Sequence, residues 1–177
     1  MAKNKNRKNV QTASRVKKNI GVVAENPVFE LERKWIFLLL FGGIFLAYAQ
    51  IWGNGLVWDD DPYITLNDAV KDFDIKALLS DFHVGNFHPL TMLSLALEYA
   101  VVGESPWLYH LNNLLLHGLN SFLVYDLIKK LNKHTWVALL TALFFALHPM
   151  HVESVAWAAE RKDVLYTLFY FFLLGVT

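Results

Sequence analysis

Three consecutive carboxylates, Asp59, Asp60 and Asp61, stand between Trp58 and Pro62 and are the part of the sequence best suited to chemistry. Adjacent carboxylates repel each other and are costly next to apolar segments, so the cluster favours a function in which a proton or a cation is shared. A carboxylate here could take the proton from an attacking hydroxyl, or help to hold a divalent cation against a phosphate. A solvated turn is the structural alternative. We predict Asp59 and Asp60 as catalytic residues and as candidate metal ligands.

Two cations, Arg161 and Lys162, lie between Glu160 and Asp163, just before the last apolar segment. The guanidinium of Arg161 offers a planar fork of N–H donors that suits a phosphate. Local neutralisation by the two flanking carboxylates is the alternative explanation. The pattern predicts a site for an anion at Arg161 and Lys162.

Histidines and amides recur on one side of a predicted helix, at His110, Asn113, His117 and Asn120. Their spacings of three, four and three align them along that side. One interpretation is hydrogen bonding between membrane helices, for which amides and imidazoles are well suited. The other is that His110 and Asn113 line a substrate cavity.

A second group, His148, His151 and Glu153, follows a later apolar segment. Its spacing is not that of the H-E-x-x-H zinc motif, so we favour hydrogen bonding that shapes a cavity, with metal ligation as the alternative. The pairs His88-Pro89 and His148-Pro149 both stand where apolar segments end or begin, which suggests that the two histidines cap helices there. We also place His88 among the residues that line the cavity.

The composition indicates which elements position these residues. Of the 177 residues, 55% are apolar, 15% aromatic and only 18% charged, which is typical of a membrane protein. The absence of cysteine excludes disulfides and thiolate zinc sites. Nine of the sixteen Lys and Arg residues fall in residues 1–34, a basic tail without interleaved aromatic residues, so we expect no nucleic-acid partner.

Hydropathy predicts an all-α membrane protein, a polytopic bundle of about four helices. The predicted spans are 35–52, 106–128, 135–147 and 164–177. Residues 53–105 form an outer loop, in which 89–102 is too short to cross and reads as a re-entrant or interfacial helix with Thr91, Ser94 and Glu98 on a polar stripe. Cations before the first span put the amino terminus in the cytoplasm and the aspartates on the far face.

Three motifs, in order, resemble one family. GLVWDDDPYI (55–64), FHVGNFHPLTMLSLALEYAVVGESPWLYHLNNLLLHGLNSFL (82–123) and ALFFALHPMHVESVAWAAERKDVL (142–165) are similar to the amino-terminal region of bacterial relatives of the transmembrane-and-tetratricopeptide-repeat O-mannosyltransferase-like proteins. That family has a GT-C type membrane fold. The similarity runs from about Gly55 to the end and does not include the basic tail.

The resemblance implies an integral membrane glycosyltransferase that moves a sugar, such as mannose, from a polyprenyl-phosphate donor to a hydroxyl of a protein or glycan. It implies that Asp59 and Asp60 serve the acceptor or a divalent cation, and that Arg161, with Lys162, lies near the donor phosphate. Because such proteins have many more membrane helices and carboxyl-terminal repeats, we expect these 177 residues alone to be inactive.

The same resemblance implies the plasma membrane of a bacterium, with the active face extracytoplasmic. Two other functions stay open from the residues. One is a non-catalytic membrane scaffold or assembly factor, in which the outer loop docks a partner. The other is a metal-dependent hydrolase at the outer face, built from His148, His151, Glu153 and the aspartates.

Overall fold

The computed structural model describes residues 31–176, so most of the predicted basic tail, 1–34, lies outside the described residues. Within this range the chain is all-helical, as predicted, and has no strand. The helices, numbered in chain order, are α1 Arg33–Ala47, α2 Asp68–Lys71, α3 Ile75–Ser80, α4 Pro89–Val102, α5 Trp107–Asn132, α6 Thr135–Leu147, α7 Val152–Ala156 and α8 Arg161–Val176. Two 3₁₀ turns, Ala49–Gly53 and Pro149–His151, and a π-helical turn, Asp61–Thr65, complete the elements.

The predicted helices occur where expected, with shifts at their ends. Helices α4 and α6 have the predicted bounds. Helix α5 runs four residues beyond the predicted end, to a left-handed Lys133 that stops it. Helix α8 starts at Arg161, three residues early, because its first turn includes the polar residues that hydropathy assigned to the loop. The predicted helix 35–52 is interrupted: α1 ends at Ala47 and a 3₁₀ turn continues it.

Helix α5 is the centre of the bundle. It has 26 residues, about 39 Å of helix, and packs against α1, α6, α7 and α8. The shared core is aliphatic, with Leu40, Leu114 and Ala142 fully buried in it. Helices α1 and α5 approach closely at Gly118, where an added Cβ would lie 2.5 Å from the Phe41 ring. A larger residue there would displace the Phe41 ring.

Polar contacts define one end of the bundle. Arg33, at the start of α1, pairs with Asp126 near the end of α5. Lys130, in the last turn of α5, donates to the carbonyl of Gly175 near the end of α8. The start of α1 and the ends of α5 and α8 therefore lie together, and we call this the basic end.

Residues 53–105, the predicted outer loop, pack around a second apolar core that Tyr109, Ala158 and Ala159 share. Tyr63, Leu78, Met92 and Leu95 are buried in this core beside α4. Some of the loop's polar residues act as helix caps: the carboxylate of Asp74 accepts from the first backbone N–H groups of α3, and Asn67 caps α2 in the same way. Part of the loop's acidity is thus explained by local structure.

The length and hydropathy of the helices indicate which of them could cross a bilayer. Within residues 31–176, none of the single helices is both long enough and apolar enough to cross one, whereas Thr135–Leu147 with Pro149–Ala156 qualify as a pair bent by 48°. Helix α4 is a shorter apolar helix.

Candidate functional site

Asp60 joins the acidic triplet to the cationic segment. Its side chain is only 1% exposed, although a carboxylate next to two others would be expected in water. One oxygen accepts from the backbone N–H of Val57 (2.8 Å) and the other from that of Ala159 (2.7 Å), 99 residues away. Burial raises the pKa of Asp60, and the two backbone N–H groups partly offset this rise. Asp60 therefore fixes the acidic turn against the loop that precedes α8.

The other two aspartates differ from Asp60. Asp61 accepts a hydrogen bond from the hydroxyl of Thr65 (2.7 Å), within its own turn. Asp59 is exposed, and within residues 31–176 its carboxylate has no hydrogen bond or ion pair. The predicted pair Asp59–Asp60 is thus asymmetric: one carboxylate holds the loops together and the other is open to a ligand.

Two tryptophans add to the contact between the acidic turn and the loop that precedes α8. The indole N–H of Trp157 donates to the carbonyl of Val57 (3.2 Å), and the Trp157 ring meets the Trp58 ring edge-to-face with centroids 5.4 Å apart. Trp58 has a φ of 52°, which is strained for a bulky residue. Such strain is characteristic of functional sites. The strained residue, Trp58, immediately precedes Asp59 in the chain.

Arg161 is buried in a network of its own. It is 1% exposed, and its guanidinium forms a two-pronged ion pair with Glu98 of α4. The remaining N–H groups donate to the side chains of Asn113 and Ser94 and to the carbonyl of Tyr109 (2.9 Å). All five of its N–H donors are engaged within the chain.

This geometry favours a positioning role for Arg161, which also lines a cavity of about 430 Å³ together with Glu98. The predicted direct contact with a donor phosphate would require the guanidinium to leave Glu98, and breaking a buried pair of this kind is costly. Sequence reasoning placed Glu98 on a polar stripe but did not identify it as the partner of Arg161. The sequence signal that could have identified this partner was a polar helical stripe with a single carboxylate, that of Glu98.

Lys162 is the more accessible cation. Its side chain is 31% exposed, its ammonium pairs with Glu160 (2.6 Å), and it lies 5.9 Å from the centre of the Tyr63 ring. Together with His88 and the carboxylate of Asp163 it lines a cavity of about 400 Å³ whose remaining walls, such as Leu165, are mostly apolar. Burial lowers the pKa of His88, so this imidazole is neutral near pH 7. The wall of this largely apolar cavity therefore carries one ammonium, that of Lys162, beside one carboxylate.

The polar stripe of α5 faces inward. His110, Asn113, His117 and Asn120 are each at most 2% exposed. Each forms a hydrogen bond to a main-chain carbonyl of another segment. His110 bonds to that of Asn54, Asn113 to that of Trp157, His117 to that of Ala146 and Asn120 to that of Val164. The bonds of His117 and Asn120 join helices, as the interpretation of hydrogen bonding between helices predicts, whereas those of His110 and Asn113 go to segments outside the helices. Among the four cavities of about 830, 430, 400 and 240 Å³ within residues 31–176, His110 and Asn113 line none, so these cavities do not support the alternative of a cavity wall.

The later histidines lie beside each other, with the ring centroids of His148 and His151 6.3 Å apart. His148 caps the turn after it by accepting from the N–H of Met150 (3.2 Å), as predicted, whereas His88 makes no such cap. His151 lines a cavity of about 240 Å³, and burial lowers its pKa. Glu153 lines a different cavity, of about 830 Å³. The two histidines are therefore neighbours, whereas Glu153 and His151 line different cavities.

The predicted divalent cation does not fit these residues. Both oxygens of Asp60 already accept backbone N–H groups, and Asp61 accepts from the hydroxyl of Thr65. Over residues 31–176, no group of three or more Asp, Glu or His side chains is arranged to hold a metal ion. The metal-dependent hydrolase therefore gains no support from residues 31–176.

Comparison with known proteins gives relatives of one kind. No protein-family profile matches the chain, and no solved structure matches it. It is 34% identical over 132 residues to the protein O-mannosyl-transferase Tmtc2 of Drosophila melanogaster, covering 68% of this chain and 14% of the relative. It is 39% identical over 136 residues to tmtc2 of Xenopus laevis (71% and 16%) and 32% identical over 145 residues to human TMTC1 (75% and 16%), both named protein O-mannosyl-transferases.

The chain thus spans about one seventh of the length of these curated relatives. The aligned share of its own length, 68% to 75%, is too large for a single shared motif. The chain is therefore related in sequence to the protein O-mannosyl-transferases.

Proposed function

We propose that this chain is part of a multi-pass membrane glycosyltransferase of the GT-C type, which moves a sugar such as mannose from a polyprenyl-phosphate donor to a protein hydroxyl. The names of its relatives support the reaction class. The observation that carries the proposal is the bond between Asp60 and the N–H of Ala159, because it brings an open carboxylate and an accessible cation to one end of the bundle.

The membrane setting rests on the surface of the bundle. Large apolar side chains on α1, α6 and α8, such as Leu46 (80% exposed), Phe144 (69%) and Leu173 (66%), face outward. Exposed apolar area on this scale marks contact with lipid or with another protein segment. The basic end would lie in the cytoplasm of a bacterium and the acidic turn on the extracytoplasmic face of its plasma membrane.

In the proposed reaction, Asp59 is the general base. Its carboxylate takes the proton of the acceptor hydroxyl while that oxygen bonds to the anomeric carbon of the sugar. The bond from the anomeric carbon to the phosphate oxygen breaks, and polyprenyl phosphate leaves. Lys162 stabilises the negative charge that develops on the departing phosphate. The lipid lies along the apolar cavity beside His88 and Lys162.

Asp60 and Arg161 position the reacting residues. Asp60 holds the turn that carries Asp59, and Arg161 holds the start of α8, which carries Lys162. Neither group needs to contact the donor or the acceptor. No step uses a divalent cation.

The test is transfer of labelled mannose from polyprenyl-phosphate mannose to protein, in membranes that contain the complete gene product. We expect Asp59→Asn to lower the rate about a hundredfold or more, because general-base catalysis contributes at least this much. Lys162→Met should have a comparable effect.

The matched controls are Asp72→Asn and Lys71→Met, exposed residues of the same outer loop, which should keep the wild-type rate. Full transfer activity in the Asp59 and Lys162 variants would refute the proposal. Absence of transfer from the wild-type protein, together with retained binding of a partner, would favour the scaffold.

A further inference from the structure

We propose that the cavity of about 830 Å³ beside the acidic turn binds a basic side chain, Lys or Arg, of the polypeptide acceptor. This inference rests on the proposed function for its acceptor. The cavity lies between residues 53–58 and 149–157, and Val57 and Trp58, which directly precede Asp59, form part of its wall. A ligand in it would lie next to the proposed base.

Two indole rings supply a surface that suits a cation. Trp58 is 77% exposed, and its ring meets that of Trp157 at an angle of 81°. The bond from the Trp157 indole to the Val57 carbonyl holds that ring in place, so the wall is preformed. Tryptophan faces attract ammonium and guanidinium groups more strongly than other aromatic rings do.

Glu153 adds the complementary charge. It is exposed, lines the cavity, and within residues 31–176 its carboxylate has no hydrogen bond or ion pair. The backbone N–H of Trp157 donates to the Glu153 carbonyl (3.2 Å), so the two residues are one helical turn apart and their side chains share one side. A carboxylate next to two indoles is an arrangement that recognises an organic cation.

The size of the cavity indicates a ligand larger than a single ion. Its volume falls within the range of about 300 to 1,000 Å³ that is usual for organic ligands. The backbone at Gly53 and Gly55 borders open space, because an added Cβ at either would meet no atom within 4 Å. A polypeptide can place a basic side chain here and a neighbouring hydroxyl at Asp59, which a free amine or a lipid headgroup cannot do.

Binding is measured first, on the complete protein in detergent, by calorimetric titration. The probes are Nα-acetyl-lysine amide and its uncharged analogue, Nα-acetyl-norleucine amide. We expect the lysine probe alone to bind, with affinity lowered about two- to fivefold by Glu153→Gln and by Trp157→Phe or Trp157→Leu. Glu104→Gln, an exposed carboxylate in the loop after α4, is the matched control and should bind as the wild type does.

Equal binding of the two probes, or unchanged affinity in Glu153→Gln, would overturn the inference. Tighter binding of choline than of the lysine probe would do so as well, because it would indicate a lipid headgroup. Because Glu153 is exposed, its variant is expected to fold even if a tryptophan variant does not.

Transfer to peptides separates this inference from the proposed function. A threonine peptide with a flanking lysine should have a higher kcat/KM than the same peptide with norleucine, and Glu153→Gln should remove the difference. Equal transfer to both peptides contradicts the inference and leaves the proposed function intact. Selective binding of the lysine probe without any sugar transfer contradicts the proposed function and leaves the cation site.

Discussion

Breaking the buried pair between Glu98 and Arg161 should destabilise the protein strongly. Glu98→Ala removes the acceptor for two of the five N–H groups of Arg161 and leaves a charge that is 1% exposed without its counter-ion. Loss of one partner of such a pair costs about 3 to 5 kcal/mol. For a domain of this size, about 2 to 4 °C per kcal/mol converts that to a fall in melting temperature of about 6 to 20 °C.

The assay is thermal unfolding of the purified protein in detergent, followed by far-ultraviolet circular dichroism. Glu104→Ala, an exposed residue, is the control and should melt within about 2 °C of the wild type. The double variant Glu98→Leu with Arg161→Leu removes both charges together, so it should be more stable than the sum of the two single changes predicts. Strictly additive losses, or a wild-type melting temperature in Glu98→Ala, would refute this account of the pair.

Three further predictions follow from packing, titration and topology. Gly118→Ala should lower the free energy of unfolding by about 1 to 3 kcal/mol because the added methyl group presses on the facing helix. Gly42→Ala, with open space around it, should be neutral or stabilising. Equal melting temperatures of the two variants would contradict this prediction. Because its pKa is raised, folded Asp60 binds a proton more tightly than unfolded Asp60, so stability should fall as the pH rises from just below 3.8 through the folded pKa. Asp60→Asn should remove that part of the fall in melting temperature, and an unchanged pH profile would argue against it. The chain has no cysteine, so single cysteines can replace Glu104 and Lys133 one at a time. The two variants should react with a membrane-impermeant thiol reagent from opposite sides of the membrane. Labelling of both from the same side would contradict the topology.

The helices were largely predictable, because hydropathy and helix-breaking residues are local properties. Helices α4 and α6 begin and end as the sequence indicates, at boundaries set by Pro89 and Gly103 for α4 and by the His148-Pro149 pair for α6. The break after Ala47 was not predictable from hydropathy, since the residues on both sides of it are equally apolar.

The site was predictable in its residue types but not in its pairing. Asp59 and Asp60 are adjacent and chemically identical, and they differ in the bonds that Asp60 alone accepts, from the N–H of Val57 in its own turn and from the distant N–H of Ala159. Arg161 and Lys162 are likewise adjacent, yet a helical rotation of about 100° per residue directs one to Glu98 and the other towards Tyr63. Long-range partners of this kind have no signal in a single sequence.

The separation between Glu98 and Arg161 also affects the order of events during synthesis. The ribosome makes Glu98 63 residues before Arg161, which at about 5 to 20 residues per second is about 3 to 13 s. Until Arg161 emerges, the nascent α4 carries a carboxylate without its counter-ion, and a bilayer disfavours such a group. We therefore expect α4 to wait outside the lipid and to dock only after the start of α8 has left the translation machinery.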